Sequence, residues 1–200
     1  HVVQFIEEHQ DKNPNLAFFP LETEQDVQQT FHIIKGHYVV LIEPVMEMAL
    51  SSQLGKLQQV LNGLYLSQYP LHEIFDHLIT PVLHDLGDMW NQGTISVAQE
   101  HVAAQNIKDA LIRLQGIIRI PRNKKKTVFL MNLSFELHDI GLKMAHHILE
   151  ERGFLVLFSG QMTLLDQTEK MFENHRPDRI YIASTYVDDA QKVREEMGQL

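Results

Sequence analysis

The sequence predicts an all-helical domain followed by an α/β domain: a four-helix bundle over residues 22–118 and a parallel sheet with helices over residues 127–200. Two observations support this prediction. Apolar residues recur at helical spacing in the first part, whereas short apolar runs alternate with helical stretches in the second. The basic segment at residues 119–126 separates the two patterns and has the composition of a linker. Residues 1–21 show no pattern that we can assign.

The helices of the bundle are predicted from apolar periodicity and from residues that end or cap helices. Pro81 should kink the third helix because proline lacks the N–H that an α-helix needs. Gly93 ends this helix, and Thr94 or Ser96 can cap the fourth, which runs to about Gly116. The short links between helices favour an antiparallel bundle. The first two helices cover roughly 23–48 and 51–67, and the third carries the stripe Leu71, Ile74, Phe75, Leu78, Ile79, Val82, Leu83, Leu86, Met89 and Trp90.

The second part predicts a small, flavodoxin-like (Rossmann-like) domain. Strand–helix–strand order implies a parallel sheet with right-handed crossovers, and ligands of such sheets bind at the carboxyl ends of the strands. Three strands make a small sheet, so we expect this domain to be truncated at its C-terminus. The predicted strands are 127–133, 154–158 and 178–183, and the predicted helices are 140–152, 163–175 and 187–198.

Composition excludes several classes of protein. The net charge of −9 gives the chain no general attraction for DNA phosphates, so DNA binding would need another domain. The absence of cysteine excludes disulfides, thiolate metal sites and cysteine nucleophiles, and it fits a cytoplasmic location. No apolar stretch is long enough to span a bilayer. The chain begins His1-Val2 without methionine, and we expect it to be a fragment.

The segment ELHDIG places a histidine on the loop that follows the first predicted strand. His138 could hold a metal through one ring nitrogen if a carboxylate fixed the other, and Glu136 lies two residues away. Gly141 would let a bulky ligand or the next helix approach the backbone closely. The competing interpretation is an exposed loop histidine beside two acidic residues.

A second candidate segment joins the third and fourth helices. Val97, Glu100 and His101 share a helix face, because they lie three and four residues apart. Trp90 ends the preceding helix across a short turn, so one surface could offer an aromatic plate, a carboxylate and an imidazole. The competing interpretation makes Trp90 a core anchor and the other residues ordinary surface groups.

Taken together, Trp-x9-Glu-His on a bundle and Glu-x-His-x-x-Gly on an open sheet resemble the cobalamin-binding module of light-sensing, adenosylcobalamin-dependent regulators of the MerR class (CarH/LitR type). The resemblance covers about residues 50–200. It implies that His138 is the lower axial ligand of cobalt and that Glu136 is its hydrogen-bonding partner. It also implies that Trp90 faces the adenosyl group. Further cofactor contacts implied by the resemblance are Val97, Glu100, His101, Gly141 and, at the nucleotide tail, Ser184.

The chain departs from this family at three points. Asn91 stands where these photoreceptors often have a histidine after the tryptophan, which puts a bis-histidine photoproduct in doubt. The Gly-Gly motif of the nucleotide-tail pocket is absent, and so is a winged-helix DNA-binding domain. We therefore expect DNA to be bound through a separate N-terminal domain, with this module forming a homo-oligomer and having no enzymatic activity.

Two other functions fit part of the sequence. A corrinoid methyl carrier of a methyltransferase system would use the His138 loop equally well. Such a carrier does not need the surface formed by Trp90, Glu100 and His101, which suits a bulky adenosyl group. An interaction module without a cofactor would require both motifs to be accidental.

The other histidines are not expected to bind a ligand. We interpret His72, His77 and His84 as part of a solvated helix face. The adjacent His146 and His147 should point in different directions and make a poor metal pair.

Overall fold

The computed structural model describes residues 1–12, 22–163, 168–185 and 190–198. The chain divides into two compact units, residues 1–117 and 118–200, and each is described by itself. Helices make up the first unit, and a parallel sheet with helices makes up the second. Among the described residues, no helix is both long enough and apolar enough to cross a membrane.

The first unit contains a helix in the segment that the sequence left unassigned, and two helices where one was predicted. The predicted helix 23–48 is broken at Gly36, which has a left-handed φ of +63° and caps α2. A Cβ at Gly36 would lie 2.5 Å from the ring of Tyr69, so only glycine fits there. The helices are α1 Val2–Lys12, α2 Glu24–Lys35, α3 Tyr38–Leu50, α4 Leu54–Leu66, α5 Leu71–Ile74, α6 Thr80–Asn91 and α7 Val97–Leu114.

A π-helical segment, Phe75–Ile79, connects α5 to α6 just before Pro81. The N–H of Thr80 bonds the carbonyl of Phe75, five residues back, instead of a residue four back. Proline cannot donate to the carbonyl four residues earlier and its ring crowds that carbonyl, so a local widening of the helix relieves the conflict. The irregularity predicted at Pro81 therefore takes the form of a π-turn.

Most of the apolar stripe of the third predicted helix lies in the core of the first unit, but Leu83 and Met89 are only partly buried and Trp90 is exposed. Trp90 is 48% exposed and therefore is not the core anchor that the competing interpretation required. The stripe packs with apolar residues of α4 and α7, as ridges on neighbouring helices do. The buried members of this core include Leu57, Leu61, Leu64, Leu71, Ile74, Phe75, Leu78, Ile79, Val82, Leu86, Ala103, Ile107 and Leu111.

The second unit is built on a three-stranded parallel sheet in the order β2-β1-β3. Its described elements are β1 Thr127–Asn132, α8 Ile140–Glu151, β2 Leu155–Gly160, α9 Glu169–His175, β3 Arg179–Ala183 and α10 Ala190–Met197. The predicted fold class, a helical bundle followed by a parallel-sheet domain, is thus confirmed. The starts predicted for the last two helices fall partly on residues 164–167 and 187–189, which lie outside the described residues.

The central strand β1 directs alternate side chains to the two faces of the sheet. Val128 and Leu130 pack with Leu142 of α8 on one face. Phe129 and Met131 pack with Met171 and Phe172 on the other face. This two-residue alternation fixes the strand in register, because a shift by one residue would reverse both faces. The carboxyl end of β1 is therefore held firmly where the loop carrying Glu136 and His138 begins.

Candidate functional site

The loop after β1 is organised around the carboxylate of Glu136. The Glu136 side chain is only 3% exposed, although it lies on a loop. Its Oε1 accepts hydrogen bonds from the backbone N–H of His138 and from Nδ1 of His138, each at 2.7 Å. The His138 side chain itself is 71% exposed. A buried carboxylate therefore holds a histidine ring that remains accessible to a ligand.

This contact determines which nitrogen of His138 can bind a metal. An ionised carboxylate only accepts hydrogen bonds, so Nδ1 of the ring must carry the proton. The lone pair of a neutral imidazole then lies on Nε2, on the side of the ring away from Glu136. A histidine oriented in this way through its second nitrogen is the usual arrangement of a metal-ligating imidazole in proteins.

The second oxygen of Glu136 binds the segment that follows β3. Oε2 accepts a hydrogen bond from the Ser184 hydroxyl at 3.2 Å and another from the backbone N–H of Thr185. The sequence linked Ser184 to the nucleotide tail of a cofactor and gave no role to Thr185. In the structure, both residues hold the carboxylate that orients His138. The two carboxyl-terminal strand ends of β1 and β3 are joined through this one side chain.

Asn132 and Gly141 shape the same loop. Asn132 is buried at the end of β1, and its side-chain NH₂ donates to the backbone carbonyl of His138 at 2.9 Å. The sequence analysis missed this residue, although an asparagine ending an otherwise apolar strand was a visible signal. A Cβ at Gly141 would meet no atom within 4 Å. Packing within the chain therefore does not explain this glycine, and the open space is available to a ligand.

A cavity of about 560 Å³ opens beside this loop, within the second unit. It is connected to the site through Met162, whose backbone N–H bonds the carbonyl of Glu136 at 3.2 Å. Its walls are mostly apolar and it is open to solvent on one side, so it can receive part of a ligand but does not enclose one. Its lining consists of Phe129, Leu157, Phe158, Ser159, Met162, Thr163, Thr168 and Met171.

The first unit presents the second candidate segment at the turn between α6 and α7. Gly93 adopts a φ of +73°, and its N–H bonds the carbonyl of Trp90 in the last turn of α6. Ser96 caps α7: its hydroxyl accepts from the N–H of Gln99, and the Gln99 side chain accepts from the N–H of Ser96. Such reciprocal capping fixes where a helix starts. Ser96 is thus the cap among the two predicted candidates.

The residues after this cap are exposed and paired. Val97 is 49% exposed, although it is apolar. The His101 ring is 74% exposed, and its Nδ1 lies 2.5 Å from the carboxylate of Glu100. Trp90, Val97 and His101 are therefore exposed on the first unit and Glu100 is partly exposed, as a ligand-facing wall requires. The structure brings Glu136, His138 and Ser184 together in one unit and carries Trp90, Val97, Glu100 and His101 on the other.

The discounted histidines divide into two groups. His72, His77 and His84 are exposed, as expected of a solvated helix face. His146 and His147 are both buried, and their rings stack at 5.5 Å with an interplanar angle of 16°. The prediction that the two rings point in different directions was wrong, and donor atoms of both rings and of Glu150 lie within 4.8 Å of one another.

Comparisons with known proteins agree with these features. Residues 41–115 match the family model described as a B12 binding domain, and this region contains Trp90, Glu100 and His101. The HTH-type transcriptional repressor CarH of Myxococcus xanthus is 27% identical over 135 residues, which is 68% of this chain. The chain spans 44% of the length of that relative.

The solved structure of one corrinoid protein shares the fold. The monomethylamine corrinoid protein of Methanosarcina barkeri is similar with a TM-score of 0.64 and 14% identity, over 80% of this chain and 76% of that one. The methanol:cobalamin methyltransferase complex MtaBC of the same organism matches with a TM-score of 0.37 and 15% identity, over 93% of this chain and 70% of that one. The latter score is too low to support an argument.

The comparisons confirm the resemblance that the motifs indicated. Residues 41–115 match the B12 binding domain, and the chain is similar to the CarH repressor in sequence and to a corrinoid protein in fold. The family match falls on the helical unit, and the Glu136–His138 loop lies outside it. The geometry of that loop is therefore an independent observation from the second unit.

Proposed function

We propose that this chain is the sensor module of a transcriptional regulator, and that it binds adenosylcobalamin with His138 as the lower axial ligand of cobalt. One observation carries the proposal: the buried Glu136 carboxylate fixes Nδ1 of an exposed histidine and leaves Nε2 for a metal. The open space at Gly141 and the apolar cavity beside the loop fit a bulky cofactor better than a bare ion.

Residues of the two units have different roles in the proposed cofactor site. Glu136 holds the His138 ring, and Ser184 and Thr185 hold the carboxylate. In the proposal, the helical unit covers the upper side of the cofactor, where Trp90 meets the adenosyl group. Val97, Glu100 and His101 complete that wall. When bound, the cofactor supplies a cobalt–carbon bond that visible light can break.

In the proposal, binding or loss of the cofactor changes the oligomeric state of the regulator or its binding to DNA. A ligand shifts a conformational equilibrium only by the difference in its affinity for the two states. Loss of the adenosyl group must therefore reduce the stability of the covered state, in which the helical unit lies over the cofactor. We propose that the covered state is a homo-oligomer in the cytoplasm, with no enzymatic activity, and that DNA contacts belong to a separate N-terminal domain. The similar protein CarH, named as an HTH-type repressor, motivates this assignment.

The experiment compares cofactors in the dark and after green light. The purified chain is mixed with adenosylcobalamin or methylcobalamin, gel-filtered, and examined by visible absorption. We expect tighter binding of adenosylcobalamin, with a change of elution volume after illumination. Trp90→Ala should weaken this preference. Ile112→Ala is the matched control, because Ile112 is an equally exposed apolar residue near the other end of α7.

The alternative function is a corrinoid methyl carrier, which the fold of the monomethylamine corrinoid protein favours. The same experiment separates the two functions. Equal affinity for both cofactors, unchanged by Trp90→Ala and without any effect of light on elution, would reject the sensor and support the carrier.

A further inference from the structure

A second cluster of metal-binding side chains lies on α8, away from the loop that holds His138. His146, His147 and Glu150 each offer a donor atom, and these atoms lie within 4.8 Å of one another. Both histidines are buried, with His147 fully so, and the Glu150 side chain is 16% exposed. Buried donor groups that converge in this way are uncommon on an ordinary helix surface.

The helical spacing explains how two adjacent histidines can share a site. Successive residues of an α-helix are rotated by about 100°, so His146 and His147 alone would diverge. Glu150 lies four residues after one and three after the other, which places it between them around the helix axis. Its Oε2 is 3.2 Å from Nε2 of His146. Zinc bonds of about 2.1 Å in a tetrahedron require ligand atoms roughly 3.4 Å apart.

The surroundings hold the ring of His146 in a fixed position. Its ring stacks on Phe158 of β2, at 5.3 Å between centroids. Burial lowers the pKa of His146, the nearby Lys143 ammonium lowers it further, and Glu150 opposes both effects. Nδ1 of His146 accepts from the Lys143 ammonium and Nε2 faces the Glu150 carboxylate, so the ring proton lies on Nε2 and is displaced when a cation binds there.

We propose that His146, His147 and Glu150 form a binding site for a divalent transition-metal ion, best suited to Zn²⁺. Two imidazoles and one carboxylate are a recognised zinc ligand set, with a water molecule as the fourth ligand. Lys143 opposes cation binding at this site, because its Nζ lies 3.0 Å from Nδ1 of His146. An ammonium group so close repels a cation, so Lys143 must turn away when the ion binds and should limit its affinity.

Calorimetric titration of the cofactor-free chain with Zn²⁺ tests the proposal. Glu150→Gln keeps the size of the side chain but removes the carboxylate, and we expect zinc to bind at least roughly tenfold more weakly, the loss typical of a damaged metal site. Lys143→Gln removes the opposing charge and should strengthen binding several-fold. Circular dichroism of both variants checks that they fold.

Co²⁺ provides a second readout of the same site. Bound by two imidazoles and a carboxylate, it should give visible ligand-field bands in the wild-type chain, and these should disappear in Glu150→Gln. His138→Ala is the matched control, because it removes an exposed histidine of the same unit that contacts a different carboxylate, that of Glu136. Zinc affinity that falls in His138→Ala and is unchanged in Glu150→Gln would overturn the proposal, as would the absence of zinc binding.

Discussion

Replacement of Glu136 by glutamine tests the arrangement on which the candidate site depends. The carboxylate accepts four hydrogen bonds, two from His138 on one oxygen and two from Ser184 and Thr185 on the other. A glutamine amide has one accepting oxygen and one donating NH₂ group. If the amide oxygen faces His138, its NH₂ faces Ser184 and Thr185.

The loss of stability expected for Glu136→Gln follows from those four hydrogen bonds. The Ser184 hydroxyl can rotate and accept from the new NH₂, whereas the N–H of Thr185 then faces another donor. The lost hydrogen bond from Thr185 to a charged group is worth about 1.5–3 kcal/mol. Each remaining hydrogen bond then has a neutral partner and is worth about 0.5–1.5 kcal/mol. Thr185 is exposed and can bond water instead, so we expect Glu136→Gln to lower the free energy of unfolding by about 2 kcal/mol. Cobalamin affinity should fall by about 10- to 100-fold, as when the partner of a metal-ligating histidine is removed.

Urea denaturation of the cofactor-free chain measures the first effect, and titration with cobalamin in the dark, followed by visible absorption, measures the second. Glu173→Gln is the matched control: Glu173 lies on α9 and is exposed, so its replacement should change stability by less than about 0.5 kcal/mol. If Glu136→Gln binds cobalamin as tightly as the wild type, Glu136 does not orient the ligand. If its stability is also unchanged, the hydrogen-bond account of the loop is wrong.

Two further predictions concern the first unit. Gly36→Ala should lower the free energy of unfolding by about 2–4 kcal/mol, because the left-handed backbone penalises a side chain and its Cβ would meet the Tyr69 ring at 2.5 Å. Gly55→Ala, in open space on α4, should instead stabilise by about 0.5–1 kcal/mol, and urea denaturation compares the two. Burial and then His37 lower the pKa of His32 below 6.5, so its contribution to stability is present above pH 6.5 and is lost as the pH falls through the lowered pKa. In His37→Gln the pKa of His32, followed by NMR titration, should rise; an unchanged value would show that the two rings do not interact.

Local interactions of the candidate site could be predicted from the sequence. Glu136 and His138 are two residues apart on one loop, so their contact could be predicted from spacing alone. The contact between Glu136 and Ser184 joins residues 48 positions apart, and it depends on how β1 and β3 pair. Sequence spacing cannot supply that pairing, so Ser184 was matched to a family role and its structural partner was missed.

Two errors came from arguments that omitted a third residue. His146 and His147 were judged only against each other, and the position of Glu150 between them was not considered. The break at Gly36 was missed because apolar periodicity continues on both sides of it. Its cause is the approach of Tyr69, whose hydroxyl bonds the carbonyl of Ile34 at 3.0 Å and which is distant in the sequence.

The central claim is that His138 of this chain binds the cobalt of cobalamin. Electron paramagnetic resonance of the cobalt(II) form tests it directly, using protein whose histidines carry the heavier, spin-one-half isotope of nitrogen. If His138 is the axial ligand, the splitting from one nitrogen should change from three lines to two on labelling, and His138→Ala should remove this dependence on the label. A splitting that does not respond to labelled histidine would mean that no histidine of the chain binds cobalt, and it would contradict the account.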